Sequence, residues 1–198
     1  KVKLETFLKM ENITKTYDLN NLKANDDVSF NVLKGEIHAL VGENGAGKST
    51  LMKVLYGIEK SDSGKIYINN SEVDISSPIV ANKYGIGMVH QHFKLINEFT
   101  VAQNVVLGIE PKKGFFLFDN STAIKAVSEI IEQNDFHILP ETKISDLSVG
   151  QMQQVEIIKM LYRRTDLLIL DEPTSVLTEQ EIQMLFETLR SLVKQGKN

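Results

Sequence analysis

Three observations predict an α/β fold for this 198-residue chain. Apolar strand-like runs alternate with segments of helical periodicity. One early run leads into a glycine-rich turn and then a helix. A late, wholly apolar run ends on two adjacent acids. The strand-like runs come first, at residues 8–17, 28–32 and 36–41. Val28-Ser29-Phe30-Asn31-Val32 alternates apolar and polar, the period of a half-buried strand. Residues 48–56 place Leu51, Met52 and Leu55 on one helical face. Residues 65–68 and 72–75 flank Asn69-Asn70-Ser71 and predict a hairpin. Ser77-Pro78 opens a short helix, with proline at the first helical position and Gly85 closing it. Residues 120–134 and 148–162 predict two longer helices, the first with Ile124, Val127, Ile130 and Ile131 at helical spacing. These middle helices read as an insertion, and Pro111-Lys112-Lys113-Gly114 before them as an exposed loop. Leu167-Leu168-Ile169-Leu170 has the pattern of a strand buried in a parallel sheet. A last helix over 178–195 opens with Thr178-x-x-Glu181 and closes at Gly196.

Composition excludes several classes. There is no cysteine, so neither a disulfide framework nor a thiolate metal site is available, which fits a cytosolic setting. The formal charge of −4 is too small to argue for a broad nucleic-acid-binding face. No apolar run approaches the ~18 residues of a membrane-spanning helix. Lys1-Val2-Lys3-Leu4-Glu5 lacks the apolar centre of a signal peptide. Any membrane is therefore expected to be met through a partner.

The glycine-rich turn is Gly42-Glu43-Asn44-Gly45-Ala46-Gly47-Lys48-Ser49, followed by Thr50, and it fits G-x-x-x-x-G-K-[ST]. Phosphate is anionic and must be held without crowding. Glycines let the backbone curl so that its N–H groups converge, and the next helix aims its positive end at the same point. Lys48 then takes the β and γ phosphates, and Ser49 ligates Mg²⁺. Asp171 and Glu172 follow the apolar run at 167–170. Ligands of open α/β sheets bind at the carboxyl ends of strands. Asp171 is placed there to hold Mg²⁺ or its water. Glu172, facing the other way in the pleat, orients or deprotonates the attacking water. No Asn-Lys-x-Asp guanine reader follows, since Asn82-Lys83-Tyr84-Gly85 lacks the aspartate. His90 and His92 lack the further ligands that a metal site requires.

Leu147-Ser148-Val149-Gly150-Gln151 opens the helix before the acid-bearing run, with Ser148 and Gln151 spaced as a capping box. With the phosphate loop and the acids, this sequence resembles the ABC ATPases from end to end. Their L-S-G-G-Q signature lies at the corresponding place. The resemblance implies a P-loop NTPase with a RecA-like parallel sheet core. It also implies an antiparallel β subdomain at the N-terminus and an inserted helical subdomain. The expected division is 1–90 for the β subdomain and phosphate-loop core, 91–162 for the helical part, and 163–198 for the returning core. It implies head-to-tail pairing with a second ATPase domain, so that Ser148, Gly150 and Gln151 cover the ATP held by the partner. Tyr17 matches the residue that stacks on adenine, and Gln91 the glutamine that reaches Mg²⁺. Ser175-Val176-Leu177-Thr178 matches the loop that crosses to the partner.

Gly85-Ile86-Gly87-Met88-Val89-His90-Gln91-His92-Phe93-Lys94-Leu95 and the signature look most like the ATPases of bacterial nucleoside and simple-sugar importers. That resemblance implies a peripheral protein at the cytoplasmic face of the membrane. Its partners would be permease subunits and, indirectly, a solute-binding protein, with no nucleic acid. A groove including Phe93, Leu95 and Phe99 would receive the permease. A soluble ABC protein acting on nucleic acid or ribosomes is the alternative, but the coiled-coil insertion or basic face it would show is not visible. An ATP-binding module without turnover is opposed by the retained Glu172. The chain departs from the pattern at Val149 for a signature glycine, at Gln154 for an arginine and at Thr178 for an aspartate. The family's switch histidine would lie beyond Asn198. The core is therefore expected to show a gap of one strand between residues 36–41 and 167–170, and the chain alone to be unstable and to turn over little ATP.

Overall fold

The computed structural model describes residues 5–17, 22–91, 93–114 and 117–198. Most of the polar start, at residues 1–4, and His92 of the histidine pair lie outside the described residues. In chain order the elements are β1 (Thr6–Tyr17), β2 (Leu22–Leu33), α1 (Lys48–Leu55), β3 (Ser63–Ile68), β4 (Ser71–Val73), α2 (Pro78–Lys83) and β5 (Ile86–Val89). There follow α3 (Val101–Val106), β6 (Lys112–Lys113), β7 (Leu117–Phe118), α4 (Asn120–Gln133), a 3₁₀ turn (Ile144–Asp146), α5 (Val149–Tyr162), β8 (Leu167–Leu170) and α6 (Glu179–Lys194). The chain divides into two compact units. One comprises Lys1–Gly87, Asp166–Ile169 and Leu192–Asn198, the other Met88–Thr165 and Leu170–Ser191.

The first unit is built on an antiparallel sheet of order β2-β1-β3-β4. The buried face of β1 carries Leu8, Met10 and Ile13. The break in alternation between Met10 and Ile13 is a bulge, where Asn12 adopts φ 53° and its amide donates to Asp27 at 2.6 Å. The predicted alternation in β2 holds, with Val28, Phe30 and Val32 turned inward and Ser29 and Asn31 exposed. Asn69 and Asn70, at φ 49° and 64°, make the β3–β4 turn, since both central residues of a two-residue hairpin turn need positive φ. Helix α1 buries Leu51, Val54 and Leu55. Ser77 caps α2, its hydroxyl accepting from Val80 N–H at 3.4 Å.

Residues 36–41, expected as a strand, form no ladder among the described residues. Ile37, Leu40 and Val41 are 49%, 38% and 89% exposed. A strand exists through its pairing, because its N–H and C=O groups need a neighbour, and apolar character alone supplies none. β8 pairs with β5. Leu167 N–H donates to Gly85 O at 2.9 Å and Asp171 N–H to Val89 O at 3.2 Å, so the contacts advance together along both segments, the parallel sense. Asn198 also meets β8, accepting from Leu168 N–H at 2.8 Å and donating to Asp166 O at 2.8 Å. Residues 36–41 and β8 share no ladder among the described residues.

The second unit is helical. Val101, Val105 and Val106 of α3, Ala123 and Val127 of α4, and Val155, Ile157 and Ile158 of α5 are buried. These three helices pack on one another. Asn104 is fully buried, and its side chain is satisfied by Ile96 N–H at 2.8 Å, Ile96 O at 3.0 Å and Thr100 O at 3.1 Å. A buried amide with these partners pins the segment after residue 92 onto α3. Lys112 and Lys113, expected in a loop, instead pair with Leu117 and Phe118 in a small hairpin, β6–β7. They are exposed as expected. Both α3 and β5 are elements that the periodicity did not predict.

Helix α6 begins and ends as its sequence implies. Thr178 N–H donates to Glu181 at 3.0 Å, and Glu181 N–H to Thr178 Oγ1 at 3.3 Å. At the other end Gly196 has φ 86°, its N–H donates to Val193 O at 2.9 Å, and Lys197 N–H donates to Leu192 O at 3.1 Å. That is the Schellman arrangement, which satisfies two of the helix's last carbonyls.

Candidate nucleotide site

The first unit holds the phosphate loop. Gly47 is the N-cap of α1 with φ 86°, and Gly45 has φ 84°. Ala46 N–H closes a turn onto Glu43 O at 3.1 Å. Lys48 curls back over the loop, its ammonium donating to Gly42 O at 2.7 Å and Glu43 O at 2.8 Å. The cation is thus held over the loop by the loop's own carbonyls. Gly42, Glu43, Asn44, Gly45 and Ala46 are exposed, while Gly47, Lys48, Ser49 and Thr50 are half-buried. Tyr17 lies beside the start of α1, its hydroxyl 3.4 Å from Thr50 Oγ1, with the Lys15 ammonium 5.5 Å from its ring centre. Asn25 belongs to no motif in the sequence. It is buried within the polar stretch of β2, and its amide donates to Gly47 O at 3.2 Å, fixing the carbonyl that opens α1.

Gln91, Asp171, Glu172 and the signature belong to the second unit. Gln91 Nε2 donates to Glu172 Oε2 at 3.1 Å. Strand alternation does not place Glu172, contrary to the expectation from the pleat. β8 stops at Leu170, and Glu172 takes φ 48°, so it is turned by a left-handed residue and not by strand alternation. That conformation is held by Ser175, which donates to Glu172 O from its N–H at 3.2 Å and its hydroxyl at 3.0 Å. Backbone outliers of this kind persist where the surroundings over-determine them and cluster at functional sites. Buried Gln153 donates to Pro173 O at 2.9 Å, tying α5 to the same turn. Glu156, also on α5 and buried, accepts from Lys94 N–H at 2.9 Å, three residues after Gln91. In the sequence the available signal for both was a glutamine and a glutamate three residues apart within the predicted helix 148–162. Burial, with Lys94 adding to it, lowers the His90 pKa from the ordinary histidine value.

At the start of α5 the predicted capping box forms in full. Ser148 N–H donates to Gln151 Oε1 at 3.0 Å, and Gln151 N–H donates to Ser148 Oγ at 3.2 Å. The same helix start holds a carboxylate from 33 residues away. Glu181 Oε1 accepts from Ser148 Oγ at 3.1 Å and from Gly150 N–H at 3.0 Å. Its carboxyl is held below the usual carboxylate range, first by Thr178 N–H, with Gly150 N–H and the Thr178 and Ser148 hydroxyls adding to it against partial burial.

One unit carries a phosphate loop on a glycine-capped helix, the other an acid pair after β8 and a capped signature helix, and the sequence profile of the ABC transporter family matches residues 25–175. The chain belongs to the ABC transporter family. Among ABC proteins, it is 50% identical over 98% of its length to the guanosine import ATP-binding protein NupO of Bacillus subtilis. It is 47% identical, also over 98%, to the nucleoside import ATP-binding protein NupA of Lactococcus lactis. The chain spans 38% of the length of each of these two relatives. The ADP conformation of an ATP-binding cassette of an ABC transporter superposes with a TM-score of 0.84 at 30% identity, covering 97% of this chain and 78% of that one. A nucleotide-free cassette gives 0.85 at 28% identity, covering 97% and 79%. The fold is that of an ABC ATPase cassette, a P-loop NTPase with an N-terminal antiparallel sheet.

Proposed function

We propose that this chain is the ATP-binding and hydrolysing cassette of an importer, with a nucleoside or simple sugar as the solute. The observation that carries the reading is the glycine-capped phosphate loop at 42–49 in the same chain as a capped signature helix at 148–151. The named activities of the relatives support the solute class. Lys48 neutralises the β and γ phosphates, and the N–H groups of Gly42–Thr50 cradle them. Tyr17 stacks on the adenine. Ser49, Gln91 and Asp171 offer hard oxygen donors, the ligand chemistry that suits Mg²⁺. Bound with ATP, the metal would supply charge neutralisation at the phosphates. Glu172 polarises the attacking water, with Gln91 holding its carboxylate. Ser148, Gly150 and Gln151 reach the ATP of a second cassette paired head to tail. The division into 1–90, 91–162 and 163–198 belongs to this reading, as does a peripheral place at the cytoplasmic face of the membrane. Permease subunits would be direct partners and a solute-binding protein an indirect one.

The test is Lys48→Ala in the intact protein. It removes a charge-assisted contact of about 1.5–3 kcal/mol, so ATP affinity is expected to fall by about one to two orders of magnitude. Solute uptake should fall with it. Equal nucleotide titrations for the two proteins would sink the phosphate-binding role. The docking of a permease gives a second test. Phe93 and Leu95 are half-buried and Phe99 is 36% exposed. Phe99→Glu is expected to uncouple uptake from ATP turnover and to leave nucleotide binding unchanged. Joint loss of turnover, binding and thermal stability would assign Phe99 to the core instead.

A further inference from the structure

The signature donors are already engaged within this chain. Ser148 Oγ and Gly150 N–H both point at one oxygen of Glu181, at 3.1 and 3.0 Å, while the other oxygen accepts from Thr178 N–H and Thr178 Oγ1 at 3.0 and 3.1 Å. The starts of α5 and α6 therefore share a single carboxylate. Each helix start carries positive partial charge, and the carboxylate neutralises both. The fit is close. A Cβ on Gly150 would lie 2.5 Å from Glu181 Oε1 and 2.7 Å from its Cδ and Cγ. The same cleft is lined by Gln154, Met184 and Thr188.

We propose that Glu181 is an intramolecular occupant of the signature's anion seat, which a partner's phosphate must displace before the two cassettes close. This rests on the reading that Ser148 and Gly150 serve the partner's ATP. A carboxylate and a phosphate are both anionic acceptors, and one hydroxyl and one N–H cannot satisfy both. Closure therefore requires Glu181 to give up two of its four hydrogen bonds. The two from Thr178 hold it at the start of α6, ready to return when the phosphate leaves. The contact sets how much ATP is needed for closure, and it keeps the signature helix start satisfied in the open state.

The test uses the intact protein with its permease and follows turnover against ATP concentration. Glu181→Gln keeps the capping box with Thr178, because glutamine serves that position as well as glutamate. It weakens the hold on Ser148 and Gly150. Glu181→Asp keeps the charge but shortens the reach, and separates this effect from any loss of folding. Glu181→Gln is expected to lower the ATP concentration for half-maximal turnover by about three- to tenfold, the difference between a charged and a neutral hydrogen-bond acceptor, and Glu181→Asp to lower it as well, because the shorter side chain loses its reach to Ser148 and Gly150. Ser148→Arg, which fills the seat, is measured beside them. If Ser148→Arg abolishes turnover but half-saturation is unchanged or raised in both Glu181 variants, the occupant proposal is overturned and the partner-site reading stands. If Ser148→Arg turns over ATP normally, the partner-site reading fails and the proposal with it.

Discussion

Glu172→Gln in the intact protein is expected to slow ATP turnover by about 10²–10⁴-fold, the usual contribution of a positioned general base, while ATP binding is retained. The substitution is nearly isosteric, so it isolates the charge. Glu172 sits at φ 48°, its carbonyl fixed by Ser175 and its carboxylate by Gln91. Glutamine can keep an oxygen toward the Gln91 amide, and the backbone turn does not depend on the side chain's charge. A structural role would therefore survive the change, and a catalytic one would not. Single-turnover hydrolysis with saturating ATP reads the chemical step directly. A rate within threefold of wild type would reassign the base, and a parallel loss of ATP affinity would give Glu172 a binding role.

The parts of this fold that were legible are the parts set by local chemistry. The Asn69-Asn70 turn, the Ser77 and Ser148 caps and the Gly196 stop each follow from a residue's conformational or hydrogen-bonding preference within a few positions. The phosphate loop was legible for the same reason. What failed was pairing and reach. Residues 36–41 have the composition of a strand but no ladder among the described residues, because pairing depends on distant chain. Glu181 read as a cap for α6 and is one, but its grip on Ser148 and Gly150 spans 33 and 31 residues and leaves no trace in spacing. Helix α3 was readable and missed. Its box, Thr100 with Gln103, stands in the sequence and forms in the structure, but six residues inside an apolar stretch are too few for periodicity to register. Asn25 shows the limit most plainly, since one polar residue among several in β2 reveals nothing of the carbonyl it holds.

Gly47→Ala is expected to abolish nucleotide binding, weakening it by at least about 100-fold, or about 2.7 kcal/mol. Gly45→Ala is expected to be much milder. The two glycines share a left-handed φ, 86° and 84°, so a residue with a Cβ meets a left-handed penalty of about 1–2 kcal/mol at both. Their surroundings differ. A Cβ on Gly45 has nothing within 4 Å. A Cβ on Gly47 would lie 2.0 Å from Ala24 O, 2.8 Å from Asn25 Nδ2 and 3.1 Å from Ala24 C. The first of these is backbone of β2 and cannot rotate away, so α1 or the strand must move. Moving α1 breaks the Asn25 bond to Gly47 O and displaces the helix start that aims the loop's N–H groups. Leu51, whose N–H bonds to Gly47 O at 2.9 Å, is buried at the same helix and transmits the shift into the core. Titration with a fluorescent ATP analogue and a thermal melt of each variant separate the two contributions. Equal losses at both positions would mean that φ alone governs this loop. Wild-type binding by Gly47→Ala would mean that the contact with β2 does not position it.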